Sequence, residues 1–195
     1  MTMRTRRFVL AAAAFLPFAA AGFANEEAGE TPRQKERRLL FERLRNAATE
    51  REGRSAEDAV WWMWMGQAPT PAVAEAVAEA MRARERYDFS RALSILDGVV
   101  ADAPDYAEGW NQRAFIRFLR EDFDGSLEDI ERTLALEPKH FAALAGKAMI
   151  LMRQGRMEPG QAALRQAVEI HPWLKERSML IPLPGEIPPG PGKDI

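Results

Sequence analysis

The sequence has 195 residues, a formal net charge of −2 at pH 7 and no cysteine. Because its basic and acidic side chains nearly balance, it lacks the clustered positive charge that a nucleic-acid partner requires, and we exclude that class of partner. The absence of cysteine excludes disulfides, cysteine-ligated metals, a thiol nucleophile and lipid attachment to an N-terminal cysteine.

The N-terminus has the layout of a secretory signal peptide. Arginines at positions 4, 6 and 7 precede an apolar stretch, and the small-x-small pattern at 22–24 predicts cleavage after Ala24. The stretch is shorter than the roughly 20 residues of a spanning helix, which favours cleavage over an uncleaved membrane anchor. The arginine pair partly resembles a twin-arginine export signal, but nothing later suggests a cofactor loaded before export. We therefore expect a signal peptide at 1–24 and a periplasmic protein without a cofactor.

The chain then matches itself at an interval of 34 residues. Prolines recur at 104, 138 and 172. Four further columns in the same register hold small or apolar residues: Ala80, Ala114, Ala148; Ala92, Ser126, Gly160; Leu96, Ile130, Leu164; and Val100, Leu134, Val168. A repeat of this length is typical of a solenoid built from supersecondary units.

Each unit has the pattern of two helices. Trp110, Ala114 and Phe118 follow one helical stripe, and Leu127, Ile130 and Leu134 follow another. The sequence between them is rich in Asp and Gly, which predicts a turn. Small residues such as Ala114 and Ser126 allow the helices to approach closely, and the proline of each unit ends its second helix.

These columns resemble the tetratricopeptide repeat (TPR) family, with three repeats at 73–106, 107–140 and 141–174. The match includes small residues at repeat positions 8 and 20, and proline at position 32. It departs from the family pattern at position 7, where Glu79, Arg113 and Lys147 replace the usual Leu, and at position 11, where Tyr is usual. The resemblance implies an all-α fold, an α-solenoid of three helical hairpins.

A further helical hairpin is predicted at 25–70, ahead of the repeats. Thr31 is a candidate N-cap with Pro32 and Gln34 behind it, Gly53 is predicted to end the first helix, and Ser55 to cap the second.

The second helix of this hairpin holds the run Trp61, Trp62, Met63, Trp64 and Met65, and it is apolar on every side, which is typical of a buried helix. We expect either Trp61 with Trp64, or Trp62 with Met65, to cap the open end of the first repeat over Ala76, Ala80 and Ala83. Two alternatives stay open: a dimer interface at Trp61, Trp62 and Trp64, since Trp is enriched in interface hot spots, and direct capture of a ligand.

The family binds extended peptides or helices on a concave face lined by the first helix of each repeat. Carried over by repeat position, the resemblance implies these partner-binding residues: Met81, Arg84, Asn111, Phe115, Phe118, Met149, Met152 and Arg153. Methionine adapts its shape and suits a tolerant binding surface. The lysines and asparagines with which one subfamily grips C-terminal carboxylates are absent here. The alternative is that the protein's own capping segments cover this face, Phe118 and Leu119 in particular.

We find no catalytic or metal-binding pattern. His140 and His171 lie beside the repeat-ending prolines, where we expect exposed turns, and further ligands at compatible spacing are missing. Residues 175–195 are predicted to be a short cap followed by a Pro/Gly-rich tail. The sequence therefore predicts a non-catalytic periplasmic TPR scaffold that binds an apolar or amphipathic protein segment. The alternative function is a self-associating envelope protein, a homodimer through the Trp-rich helix.

Overall fold

The computed structural model describes residues 30–185, and this part of the chain consists of eight α-helices and a short 3-10 helix. The helices are α1 (Pro32–Arg45), α2 (Glu50–Met65), α3 (Pro71–Glu85), α4 (Phe89–Asp102), α5 (Ala107–Leu119), α6 (Phe123–Leu136), α7 (Phe141–Arg153) and α8 (Met157–Ile170), followed by the 3-10 helix Lys175–Met179. The predicted signal peptide at 1–24 and the end of the tail at 186–195 lie outside the described residues. Within 30–185, no helix is long and apolar enough to cross a membrane.

The N-terminal hairpin, α1 and α2, begins as predicted but turns earlier. The Thr31 hydroxyl accepts a hydrogen bond from the Gln34 N–H at 3.2 Å, and the side-chain amide oxygen Oε1 of Gln34 accepts from the Thr31 N–H at 2.9 Å, which is a capping box. The predicted boundary at Gly53 and Ser55 is wrong. Thr49 caps α2, so that Gly53 lies inside the helix. The reason is packing, since a Cβ at Gly53 would lie 2.7 Å from the Trp173 side chain.

Helices α3–α8 form three successive hairpins in the predicted register. Corresponding helices begin 34 residues apart, at Phe89, Phe123 and Met157 for the second helix of each hairpin. The turn inside each hairpin places one residue in the left-handed region, with φ of 60° at Tyr87, 62° at Glu121 and 77° at Gly155. Only the last of the three turns has the glycine that this conformation favours.

The small-residue columns hold the two helices of a hairpin together as predicted. Ser126 is fully buried, and its hydroxyl donates a 2.8 Å hydrogen bond to the Ala114 carbonyl on the facing helix. In the third hairpin, a Cβ at Gly160 would lie 2.6 Å from Met152 Cγ and 3.2 Å from the Ala148 carbonyl. A larger residue at these positions would push the helices apart.

The charged residues at repeat position 7 form ion pairs between helices. The Arg113 guanidinium donates to both carboxylate oxygens of buried Asp129, at 2.9 and 2.7 Å, and to Asp97 of the preceding hairpin at 2.9 Å. These hydrogen bonds raise the pKa of Arg113 above its ordinary value. Lys147 likewise reaches Glu131 of the preceding hairpin at 2.6 Å. Polar links thus replace the leucine contacts usual at this position.

Most of the Trp-rich helix α2 lies elsewhere than predicted. Its buried residues Val60 and Trp64 share a hydrophobic cluster with Phe141, Leu164 and other residues of the third hairpin, whereas the first hairpin has its own cluster. Trp64 is 1% exposed, and its ring lies 5.1 Å from that of Phe141. The expectation that Trp61 and Trp64 cap the first repeat is therefore wrong for Trp64, because the chain folds back and this residue covers the third repeat. Of the other expected pair, Met65 does pack against the cluster of the first repeat, whereas Trp62 is exposed.

Helix α2 reaches all three loops that follow the second helices of the hairpins. At the first loop, the Met65 carbonyl accepts a hydrogen bond from the Tyr106 hydroxyl at 3.2 Å. At the second, Trp64 Nε1 donates to the Glu137 carboxylate at 3.2 Å. At the third, the Glu57 carboxylate lies 3.2 Å from His171 Nε2. A helix of 16 residues is roughly 24 Å long, enough to run across the edge of the solenoid where these loops lie.

The C-terminal cap also meets the N-terminal hairpin. Leu174 is buried in the same cluster as Trp64, and Trp173 Nε1 donates a 2.8 Å hydrogen bond to the Ala47 carbonyl. The short helix that the sequence predicts after Trp173 is the 3-10 helix Lys175–Met179. Both ends of the described chain are therefore fixed at the third repeat.

We predict that Trp64→Ala lowers the free energy of unfolding by about 3–5 kcal/mol, because it removes a buried indole and leaves a cavity between α2 and the third hairpin. The matched control is Trp62→Ala on the same helix. Trp62 is 65% exposed, and its loss should change stability by less than about 0.5 kcal/mol. Urea unfolding followed by circular dichroism measures both. Equal losses for the two variants would contradict the placement of α2.

Candidate partner-binding site on the concave face

A cavity of about 400 Å³ lies between α2 and the first helices of the three hairpins. Its wall at the α2 side is formed by Glu57, Asp58, Trp61 and Trp64, together with Lys175 and Glu176 of the 3-10 helix. The remaining lining comes mainly from α5 and α7, with Arg84 from α3 and Ser126 and Ile130 from α6. The concave face that the sequence predicts is thus bordered on one side by the protein's own N-terminal hairpin.

Five of the eight predicted partner-binding residues line this cavity: Arg84, Asn111, Phe115, Phe118 and Met149. The other three lie apart from it. Met81 packs against the core of the first hairpin. Met152 packs toward α8, where Gln161 Nε2 lies 3.1 Å from its sulfur. Arg153 is exposed, with its guanidinium 5.6 Å from the centre of the Phe123 ring. Whether any of the eight binds a partner stays a prediction.

The floor of the cavity is apolar and partly open to solvent. Phe115 is 41% exposed, whereas its neighbours Ala114 and Ile116 are buried. Phe118 is half-buried, with its ring 6.0 Å from that of Phe123, and Met149 is half-buried on α7. An exposed aromatic ring in a concave apolar surface is a feature of ligand-binding sites.

Arg84 on α3 borders this floor. Its guanidinium lies 5.4 Å from the centre of the Phe115 ring, and its Nη1 donates a weak hydrogen bond to Gln112 Oε1 at 3.3 Å. No carboxylate of residues 30–185 pairs with it. The guanidinium therefore keeps donors for a ligand beside an aromatic surface.

A buried polar pair lies under the cavity, and sequence reasoning missed it. Glu108 and His140 are each 1% exposed, and His140 Nε2 lies 3.0 Å from Glu108 Oε2. The other Glu108 oxygen accepts from Gln112 at 2.6 Å and from Asn111 at 3.2 Å. Two donors on one oxygen and an imidazole on the other satisfy the hydrogen-bonding capacity of this carboxylate.

The hydrogen bonds of the two His140 ring nitrogens give this residue a structural role. Its Nδ1 accepts the Ala143 N–H at 3.2 Å, as the N-cap of α7, so the ring proton must lie on Nε2, which donates to Glu108. The ring also stacks on Trp64, with centroids 3.9 Å apart and planes 8° from parallel. With both nitrogens bonded and one face covered, His140 has no free nitrogen to act as a general base on Ser126 or any other hydroxyl. The Glu108–His140 pair links α5 to α7 beneath Trp64.

His171 is the C-cap of α8 at the third loop, the repeat position that Glu137 holds after α6, and it too is buried. Its Nε2 meets Glu57, while no partner reaches its Nδ1 within the described structure. The hydrogen bond to His171 holds the pKa of Glu57 below its ordinary value, and the charges of His171, Arg54 and Lys175 act in the same direction. The expectation that both histidines lie in exposed turns is wrong, because α2 and the C-terminal cap cover the loops.

The three tryptophans of α2 have different environments. Trp64 is buried, so it cannot belong to an exposed dimer interface as predicted. Trp61 is half-buried and lines the cavity, and Trp62 is exposed, their rings meeting edge to face at 4.7 Å. The sequence could not separate them, since a run that is apolar on every side does not show which side is covered.

Among the described residues, no group of three or more His, Asp or Glu side chains is arranged to hold a metal ion.

Comparisons with known proteins agree with this architecture, although no family model matches the chain. A TPR repeat-containing protein of Rhizobium etli is 42% identical over 81 residues, which make up 42% of this chain and 40% of that protein. The chain thus spans about two fifths of the length of this relative.

Solved structures are similar at lower identity. The crystal structure of the Sgt2 TPR domain from Aspergillus fumigatus matches with a TM-score of 0.51 and 20% identity, over 53% of this chain and 68% of that one. A mutant of MamA matches with a TM-score of 0.47 and 16% identity, over 72% of this chain and 98% of that one.

The protein is a helical-repeat protein whose first helices line a concave surface. More specifically, the resemblance to the TPR family and the all-α solenoid fold are both confirmed. A fold of this kind is a scaffold for protein–protein interaction.

We predict that Glu57→Gln reduces the acid sensitivity of the protein. Because the folded-state pKa of Glu57 is lowered, its contribution to stability is present above the unfolded-state pKa and is lost as the pH falls through the folded-state pKa. The variant should be less stable than wild type at pH 7 by less than about 1 kcal/mol, since the carboxylate is partly exposed, and the difference should shrink as the pH falls below 4.5. Urea unfolding between pH 7 and pH 3 measures this.

The control is Asp58→Asn at the adjacent carboxylate, whose side chain makes no hydrogen bond or ion pair within residues 30–185. A gap between Glu57→Gln and wild type that stays constant from pH 7 to pH 3 would show that the His171 contact does not depend on the ionised carboxylate.

Proposed function

We propose that this protein is an exported, non-catalytic scaffold that binds an apolar or amphipathic segment of a partner protein in the cavity between α2 and the concave face. The observation that carries the proposal is Phe115, which is 41% exposed on the cavity floor although its neighbours on α5, Ala114 and Ile116, are buried. Folding gains nothing from an aromatic side chain left in water, whereas a ligand that covers it gains about 25 cal/mol per Å² of apolar area.

The surroundings of Phe115 support the same proposal. Phe118 and Met149 extend the apolar floor, and Arg84 and Asn111 place hydrogen-bond donors at its border. A small number of polar groups around an apolar surface is the usual composition of a specific binding site. The cavity is about 400 Å³, which suits a few side chains of a partner segment rather than a whole folded domain.

The periplasmic location is part of the proposal. Three arginines before an apolar stretch, ending in a small-x-small pattern, support export and cleavage after Ala24. A chain without cysteine needs neither an oxidising nor a reducing compartment to fold. Export predicts that the protein recovered from the periplasm of a Gram-negative host begins at Asn25.

We predict that Phe115→Glu lowers the affinity for the bound segment by tenfold or more, since a charge on the cavity floor must be desolvated by an apolar ligand. The matched control is Leu119→Glu. Leu119 lies on the same helix and is 38% exposed, but it does not line the cavity. Both variants and wild type, expressed with the natural leader, are compared for proteins retained from a periplasmic extract and then for affinity to the retained protein. Circular dichroism checks that all three are folded.

A protein retained by wild type and the Leu119→Glu variant, but lost by the Phe115→Glu variant, would support the cavity as the binding surface. Equal retention by all three would contradict it.

A second candidate function is self-association through the exposed part of α2. The observation that favours it is Trp62, which is 65% exposed and supported edge to face by Trp61. A large aromatic side chain in that position is typical of an interface hot spot. Sedimentation at micromolar concentration separates the two candidates: a dimer that becomes a monomer in Trp62→Glu would favour self-association, and a wild-type monomer would exclude it.

A further inference from the structure

We infer that the cavity selects a dipolar segment, in which acidic and basic residues stand on opposite sides of an apolar centre. This inference rests on the proposed function and names the chemistry of the partner. It is carried by the arrangement of unpaired charges around the cavity floor.

The first-repeat end of the cavity is positive. Arg84 on α3 is the cation there, and its guanidinium has no carboxylate partner among the described residues. Gln112 links Arg84 to the buried carboxylate of Glu108, which receives hydrogen bonds from Asn111, Gln112 and His140 but forms no ion pair with the guanidinium. The positive charge at this end is therefore available to an acidic group of a ligand.

The opposite end of the cavity, beside the third repeat, is negative. Glu57, Asp58 and Glu176 line it, together with the single cation Lys175. Lys175 is near Glu57, whose carboxylate also bonds to His171. The side chains of Asp58 and Glu176 make no hydrogen bond or ion pair within residues 30–185. Two carboxylates are thus left for a basic group of a ligand.

Between the two ends lies the apolar floor. Arg84 belongs to the first hairpin, Phe115 and Phe118 to the second, and Met149 to the third. Glu57 is fixed to the loop after the third hairpin, and Glu176 follows that loop. From the first repeat to the third, the cavity therefore presents the cation Arg84, then the apolar floor, then the carboxylates. Charge complementarity then requires a ligand with an acid at the Arg84 end and a base at the Asp58 and Glu176 end.

The experiment is a selection from a random peptide display library on the purified full protein, expressed with its natural leader. Wild type is compared with Arg84→Glu, with Asp58→Lys combined with Glu176→Lys, and with Phe115→Glu. Wild type should select peptides with an apolar centre, acidic residues on one side and basic residues on the other. The four substituted residues of the protein are at least partly exposed, and circular dichroism checks that each variant is folded.

The charge variants should change the selected sequences in opposite directions. Arg84→Glu should select peptides with basic residues on both sides of the apolar centre. The variant that combines Asp58→Lys with Glu176→Lys should select peptides with acidic residues on both sides. A synthetic peptide selected by wild type should bind either charge variant roughly fivefold more weakly.

The outcomes separate this inference from the proposed function. Suppose that wild type selects peptides that Phe115→Glu does not bind, but that these peptides show no charge pattern, or that both charge variants select the same pattern. Either result would overturn the inference of a dipolar ligand and would leave the cavity as a binding site. If wild type enriches no peptide above the Phe115→Glu variant, the proposed function itself fails.

Discussion

The packing of helix α2 across the three inter-repeat loops determines much of what the rest of the molecule can do. A solenoid of three hairpins buries each hairpin only against its neighbours, so its ends and its loop edge stay uncovered. Here one helix covers that edge through Trp64, whose ring stacks on His140 and whose Nε1 bonds to Glu137. Arg37 of α1 also forms an ion pair with Glu137, so both helices of the hairpin hold the same loop.

This packing also explains the buried polar residues and the shape of the cavity. Glu108, His140 and His171 lie under α2 or the C-terminal cap, where each finds a hydrogen-bond partner that water would otherwise provide. Because α2 runs along the edge and does not fill the concave face, Phe115 stays accessible while Trp61 and Asp58 become part of the wall. The N-terminal hairpin thereby contributes to the surface that we propose for partner binding.

The sequence predicted the repeats because their signals are local. Prolines, small residues and apolar stripes at a spacing of 34 residues identify each hairpin, and the capping box at Thr31 identifies the start of α1. The position of α2 depends on contacts between Gly53 and Trp173 or Glu57 and His171, more than 100 residues apart, which no local pattern shows. Five of the predicted binding residues line the cavity, whereas the buried Glu108–His140 pair could not be foreseen without knowing what covers the loop.

The most direct test of this account is the position of the N-terminal hairpin in solution. The chain has no cysteine, so an introduced pair reports on one contact alone. A Cβ at Gly53 lies 2.7 Å from Trp173 Cβ, close enough for a disulfide after a small adjustment. We predict that Gly53→Cys with Trp173→Cys oxidises within one monomer, whereas Gly53→Cys with Ala76→Cys stays reduced. A disulfide in the second pair and none in the first would place the hairpin on the first repeat and contradict the account.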